Sequence, residues 1–271
     1  MTTECLGVVL RTTPVRESDL LVTLYTDALG RVSAVARGAR RSQRRFSGAL
    51  SALVLARFQL GHRPRGDLWS LDGAEVVREW TALASDVVAH AHAAYVSEIV
   101  GGILPAEQPE PEALSIMVAL WDSLAVGGPS PGALRAVELA LLELGGHLPA
   151  IAQCAACGAT DLDVGAVFDP ARGGAICRRC AATSRGAGVR PLEASTRAYL
   201  AAIVDARLAP SSSVPGASLA RARALDLDPR FTAADRGAGR DALVASVVAL
   251  VGRPLRSLEY LAKLGAATRR P

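Results

Sequence analysis

The chain has 271 residues, half of them hydrophobic and 4% aromatic, with 30 basic against 26 acidic side chains and a formal net charge of +4. That composition excludes a wholly disordered chain and suits one large domain, or two to three small ones, around a buried core. Lys263 is the single lysine and sits in Leu-Ala-Lys-Leu, without the Gly-rich turn or following Ser/Thr of a Walker phosphate loop, so P-loop ATPases are excluded too.

Residues 5–80 alternate short β-like runs with turn residues. Leu6, Val8 and Leu10 alternate with Gly7, Val9 and Arg11, and residues 20–26 form a β-branched and aromatic run. Residues 31–36 follow Gly30, residues 53–60 put Val54, Ala56, Phe58 and Leu60 on one face, and residues 68–77 form a fifth run with Gly73 as a bulge or turn. Five strands in so short a stretch, with no helix-length segment between the first three, predict a small barrel.

The charge is concentrated in this region. Residues 1–80 carry 12 arginines and 8 acids, whereas residues 81–271 carry 18 basic and 18 acidic groups. Between 28 and 66 there are nine arginines and no acid: Arg31, Arg37, Arg40, Arg41, Arg44, Arg45, Arg57, Arg63 and Arg65. A solvated surface normally interleaves both signs, so a one-sign block points to a polyanionic partner. Its densest part, Arg37-Gly-Ala-Arg40-Arg41-Ser-Gln-Arg44-Arg45-Phe46, falls between the third and fourth runs, where guanidinium forks can meet successive phosphates. Phe46, Tyr25 and Trp69 are the aromatic groups available there for stacking on bases, with a core position the commoner fate for Phe46.

After Thr81 the period becomes helical. Val87, Val88, Ala91, Tyr95, Ile99 and Val100 recur every three to four residues; a second helix is expected from 112 to 125 and a third from Ser130-Pro131 to Gly145-Gly146. A fourth is expected from Glu193 and two more over 240–251 and 255–264, with 210–216 as a connecting loop. The longest apolar run, 242–252, is about half a membrane span and reads as a buried helix. With no signal-peptide pattern at the start, the chain is expected in the cytoplasm.

Residues 153–190 interrupt the helices. Cys154-Ala-Ala-Cys157 is separated by nineteen residues from Cys177-Arg-Arg-Cys180, a spacing that suits one tetrahedral Zn²⁺ held by four thiolates. Gly158, Gly173 and Gly174 supply backbone freedom for the two turns, and Arg172, Arg178 and Arg179 are placed to offset the negative centre. Four protein ligands leave no open position for a catalytic water, so the expected role is structural. Cys5 stands apart. His90 and His92 face different sides of a helix, and Gly237-Ala-Gly239 lacks the preceding strand of a dinucleotide fingerprint. Asp67, Asp72 and Glu75 cluster near the fifth strand, which keeps a Mg²⁺-dependent nuclease as an alternative; an RNA-binding barrel protein is another.

The order of several segments also matches a known family. Val8-Val-Leu-Arg-Thr, Glu17-Ser-Asp-Leu, Thr23-Leu-Tyr-Thr and Gly30-Arg-Val-Ser-Ala-Val-Ala-Arg-Gly-Ala-Arg-Arg are followed by 139–144, Phe168-Asp-Pro and Gly174-Ala-Ile-Cys-Arg-Arg-Cys. Over roughly residues 5–182 the chain resembles the bacterial RecO family of recombination mediators. The resemblance implies a multidomain α+β chain: an N-terminal OB-fold β-barrel (1–80), then an α-helical bundle domain (81–271) with an inserted four-cysteine zinc-finger element (153–182). It implies binding of single- and double-stranded DNA, annealing of complementary strands, and action with RecR and single-stranded-DNA-binding protein to load recombinase at the nucleoid, none of which needs an enzymatic step. By position Arg37, Arg40 and Arg41 match the family's DNA-facing segment; Arg31, Arg44 and Arg45 join them by charge.

Overall fold

The computed structural model describes residues 2–41, 43–62, 68–162, 164–207 and 215–267. They form two compact units, Met1–Gly128 with Ser257–Pro271, and Pro129–Arg256.

The first unit starts with strands β1 (Thr2–Pro14), β2 (Leu20–Thr26) and β3 (Gly30–Ala36), a single helical turn α1 (Gln43–Phe46), and strands β4 (Val54–Gly61) and β5 (Trp69–Glu79). They close into a barrel in the order β1-β2-β3-β5-β4, because β1 is long enough to pair with β2 along one part and β4 along another. All pairings are antiparallel except β3–β5, which meet in parallel through Ala34 opposite Trp69 and Val35 opposite Ser70. This is the small barrel expected from the alternating runs, with the OB-type fold that the family resemblance implies. Period-two alternation turns Val22, Leu24, Val32, Ala34, Ala56, Phe58 and Leu60 into one core, and α1 adds Phe46 to it. Gly7 permits the tight β1–β2 approach: a Cβ there would lie 2.5 Å from the Tyr25 carbonyl oxygen.

Helices α2 (Thr81–Ser85), α3 (Val87–Ile103) and α4 (Pro111–Gly127) follow. Asp86 caps α3 by accepting from the Val88 and Ala89 amides at 2.9 and 3.0 Å. Trp80 and Trp121 meet edge to face at 5.1 Å, and Trp80 Nε1 donates to Asp122 at 2.8 Å. The α3–α4 connection crosses the β2–β3 turn: the Glu107 amide donates to the Arg31 carbonyl at 3.0 Å and Tyr25 Oη donates to the Glu110 carbonyl at 3.1 Å. A Cβ on Gly30 would lie 2.2 Å from the Gln108 oxygen, so only glycine fits beneath it.

The second unit is built around α5 (Pro131–Leu144), which is buried from Gly132 to Leu142. After it come β6 (Val167–Asp169), β7 (Gly174–Ile176), the short α6 (Arg178–Ala181) and β8 (Arg190–Pro191), forming a small sheet of order β7-β6-β8. Helices α7 (Ala194–Ala206), α8 (Pro215–Ala224) and α9 (Ala233–Val251) complete the unit, and α10 (Arg256–Ala267) returns to the first, where Ser257 donates through its amide and hydroxyl to Glu98. One core joins both halves of the second unit, with Cys154, Phe168, Ile176 and Cys177 among Leu139, Tyr199, Leu200 and Leu243.

Two helical expectations change. Helix α8 occupies a stretch whose sequence shows no apolar period, and residues 210–214 of the expected loop lie outside the described residues. Helix α9 begins at 233 rather than 240, through a capping box in which Thr232 and Asp235 satisfy each other's amides. Gly237 and Gly239 therefore sit inside a helix. Gly239 is needed for packing, since a Cβ there would lie 2.7 Å from the Tyr199 ring. Among the described residues no helix is long and apolar enough to cross a membrane.

Candidate functional site

The four cysteines converge from two turns. In the first, the Cys154 amide donates to the Ala159 carbonyl and the Gly158 amide to the Cys154 carbonyl, both at 2.8 Å, with Gly158 left-handed at φ +73. In the second, Cys177 precedes α6 and Cys180 lies in its one turn. A Cβ on Gly174 would lie 2.4 Å from the Ala150 oxygen, so glycine alone lets β7 pass that close. The four sulfurs lie within 4.8 Å of one another, and Cys157 and Cys177 are 3.8 Å apart. Thiolates at about 2.3 Å from one ion make a tetrahedron with edges of about 3.8 Å, whereas a disulfide needs about 2.05 Å. The four cysteines can hold one metal ion.

Burial alone pushes the Cys154 thiol up, but the amides of Cys177, Ala156 and Cys157 outweigh it and leave the group at about 6. The Ala159 amide, first among its neighbours, lowers Cys157. Cys180 is pushed up to about 11, chiefly by its hydrogen bonds with Cys157 and Cys177. Of the three nearby arginines, Arg179 bonds Cys157 and Arg172 pins the second turn through the Cys180 carbonyl at 3.0 Å and the Thr183 and Ser184 hydroxyls. The stem of Arg178 lies over Gly165.

The basic segment forms a turn against the β1–β2 connection. The Arg40 amide donates to the Ser18 carbonyl at 3.0 Å, the Arg41 amide to the Gly38 carbonyl at 3.0 Å, and the Gly38 amide to Asp19 Oδ1 at 2.9 Å. Arg40 Nη1 donates to the Glu17 carbonyl at 3.1 Å, and Arg41 pairs with the Glu17 carboxylate at 3.3 Å. Arg45 reaches the Arg37 carbonyl and lies over the Phe46 ring, 5.0 Å from its centroid. Arg37, Arg40, Arg41 and Arg45 are all exposed on this turn. Arg31 is elsewhere: six residues earlier on β3, about 20 Å along the strand, it is half-buried under the α3–α4 connection. The side chain of Arg44, like Arg63, Arg65 and Asp67, lies outside the described residues.

Space also restores the acids that the count along the chain left out. Glu17 and Asp19 lie just before the acid-free stretch yet touch its centre, and Arg57 pairs with Glu4 across β1–β4 at 3.1 Å. These partners carry no signal in linear order, because strand pairing creates the proximity. Phe46 is buried in the barrel core and Tyr25 is buried with its hydroxyl on the Glu110 carbonyl of the α3–α4 connection, so neither offers a ring to a base. Trp69 is half-buried, with Nε1 bonded to Glu107 at 3.2 Å and the His62 ring edge-on at 5.2 Å. Asp72 and Glu75 are exposed on β5; among the described residues only the four cysteines gather as a group able to hold an ion.

The family description "Recombination protein O N terminal" matches residues 1–80, the whole barrel, and "Recombination protein O C terminal" matches residues 84–227, which include all four cysteines. A protein named DNA repair protein RecO from Anaeromyxobacter sp. (strain K) is 38% identical over 262 residues, covering 96% of this chain and 95% of that one. The chain belongs to the RecO family. Another RecO, from Myxococcus xanthus, is 31% identical over 265 residues, 96% of each chain. The RecO of Geobacter sulfurreducens is 37% identical over 176 residues, 65% of this chain and 72% of its own.

Proposed function

We propose that this chain is a DNA repair protein that binds single- and double-stranded DNA, anneals complementary strands, and acts with RecR to load recombinase on DNA coated by single-stranded-DNA-binding protein. One observation carries the reading: Arg37, Arg40, Arg41 and Arg45 are exposed together on a turn that main-chain hydrogen bonds hold to the edge of a closed OB-type barrel. Annealing needs no bond broken and no nucleotide consumed. It needs phosphate repulsion between two strands to be neutralised while base edges stay free, and guanidinium forks on a fixed turn do that. Membership of a family whose relatives are named DNA repair proteins supports DNA as the polyanion. Arg31 serves as a separate phosphate contact further along β3.

The ion is Zn²⁺ in a structural role. Four thiolates of the right spread favour this soft-ligand tetrahedral ion and leave no coordination position open, and Cys154 and Cys177 are part of the core that holds α7 and α9. The protein works in the cytoplasm at the nucleoid. Competition between DNA and RNA oligomers of one sequence tests the substrate class. DNA displaced by RNA at a tenth of its concentration would favour an RNA-handling role instead, and strand cleavage of labelled DNA in Mg²⁺ would favour a nuclease.

A further inference from the structure

An acidic residue beside an arginine cluster ordinarily competes with phosphate, and two such residues lie against the basic turn. Their geometry differs. Glu17 is at the surface, its side chain 90% exposed and paired with an Arg41 that is 72% exposed. Asp19 is tucked in, its side chain 13% exposed. Its Oδ1 accepts from the Gly38 amide at 2.9 Å and from Ser18 Oγ at 3.2 Å. Gly38 is left-handed at φ +67, the conformation that aims its amide back at Asp19 while its carbonyl receives the Arg41 amide. Next to it the Ser18 carbonyl receives the Arg40 amide, and the Val15 amide closes the connection on the Asp19 carbonyl at 3.2 Å. The β1–β2 connection is thus a template, with Asp19 at its inner end and Glu17 at its outer end.

We propose that Asp19 is a positioning residue for DNA binding: its carboxylate holds the Gly38 amide and so sets the turn that presents Arg37, Arg40 and Arg41, whereas Glu17 only shields Arg41. This deepens the DNA-binding reading above and rests on it. The two acids then have opposite signs of effect. Loss of Asp19 weakens binding although it removes a negative charge next to Arg16 and Arg37; loss of the Glu17 charge strengthens it.

The test is the affinity of the full chain for a labelled oligothymidine, with the melting temperature of each variant measured alongside. Asp19→Ala is expected to weaken binding roughly fivefold, the equilibrium equivalent of one hydrogen bond. Asp19→Asn keeps an acceptor for the Gly38 amide and loses the charge, so it binds at least as tightly as the parent. Gly38→Ala changes no charge and meets no atom within 4 Å, yet disfavours the left-handed turn and weakens binding as Asp19→Ala does. Glu17→Gln tightens binding by removing the carboxylate that competes with phosphate for Arg41. Binding by Asp19→Ala as tight as the parent's, or tighter, overturns the proposal. Should that variant fail to fold, parent-like binding by Gly38→Ala overturns it equally. If Arg40→Ala with Arg41→Ala also leaves affinity unchanged, the turn is not the DNA site and the underlying reading falls with it.

Discussion

Replacing Arg40 and Arg41 together by alanine removes the centre of the basic turn, and the structure sets the size of the effect. Arg40 gives Nη1 to the Glu17 carbonyl, and Arg41 is paired with the Glu17 carboxylate. With both side chains of that pair largely exposed, it is worth about 0–1 kcal/mol, so a phosphate can displace Glu17 and both guanidinium groups count. Each phosphate neutralised contributes about 0.7 to the slope of log affinity against log salt on single strands and about 0.9 on duplex. The double variant is therefore expected to flatten the slope by about 1.4 and about 1.8. Between about 50 and 200 mM salt the parent then loses about sevenfold more affinity for single strands than the variant, and about twelvefold more for duplex. If Arg41 stays with Glu17, the single-strand difference shrinks to about 2.6-fold. Fluorescence anisotropy titrations at four salt concentrations measure this directly. Equal slopes for parent and variant would refute the assignment of the turn as a phosphate-binding surface.

Cys157→Ser tests the metal centre cleanly, because Cys157 is exposed and its replacement removes little packing. Bound zinc is expected to fall from about one ion per chain to a small fraction, and α7 and α9 to become more exchange-labile. Undiminished zinc in the variant, measured by elemental analysis, would contradict a four-cysteine site. Gly239→Ala gains helix propensity of up to about 1 kcal/mol but drives a methyl group to 2.7 Å from the buried Tyr199 ring, which itself packs on Phe231. Overpacking of about 1–3 kcal/mol outweighs that gain, so the melting temperature should drop by several degrees. A rise would mean that α7 and α9 yield easily.

The barrel was legible because period two puts Val22, Leu24, Ala56 and Phe58 inside, and the four-cysteine cluster because two knuckles at fixed spacing admit few other arrangements. Helix α8 was not legible: Gly216, Ser218 and alternating Ala and Arg show no apolar face, and its stability comes from packing on α5, where Gly132 lies so close that a Cβ would sit 2.2 Å from the Ala222 oxygen. The start of α9 was not legible because Gly237 and Gly239 add nothing to an apolar period, and only the fold shows the Tyr199 ring filling the space at Gly239. At the candidate DNA surface the arginines were visible and their frame was not. Glu17, Ser18 and Asp19 are about twenty residues away in sequence and become neighbours through the β2–β3 hairpin.

In the proposed function, a clamped arginine turn on the barrel brings complementary DNA strands together. Annealing of a labelled strand to its complement, both coated with single-stranded-DNA-binding protein and with no nucleotide present, tests it most directly. The parent chain is expected to accelerate duplex formation, and Arg40→Ala with Arg41→Ala to lose most of that acceleration at low salt, with the difference narrowing as salt rises. Annealing no faster than in the absence of the chain, or equally fast with the double variant at every salt concentration, would contradict it.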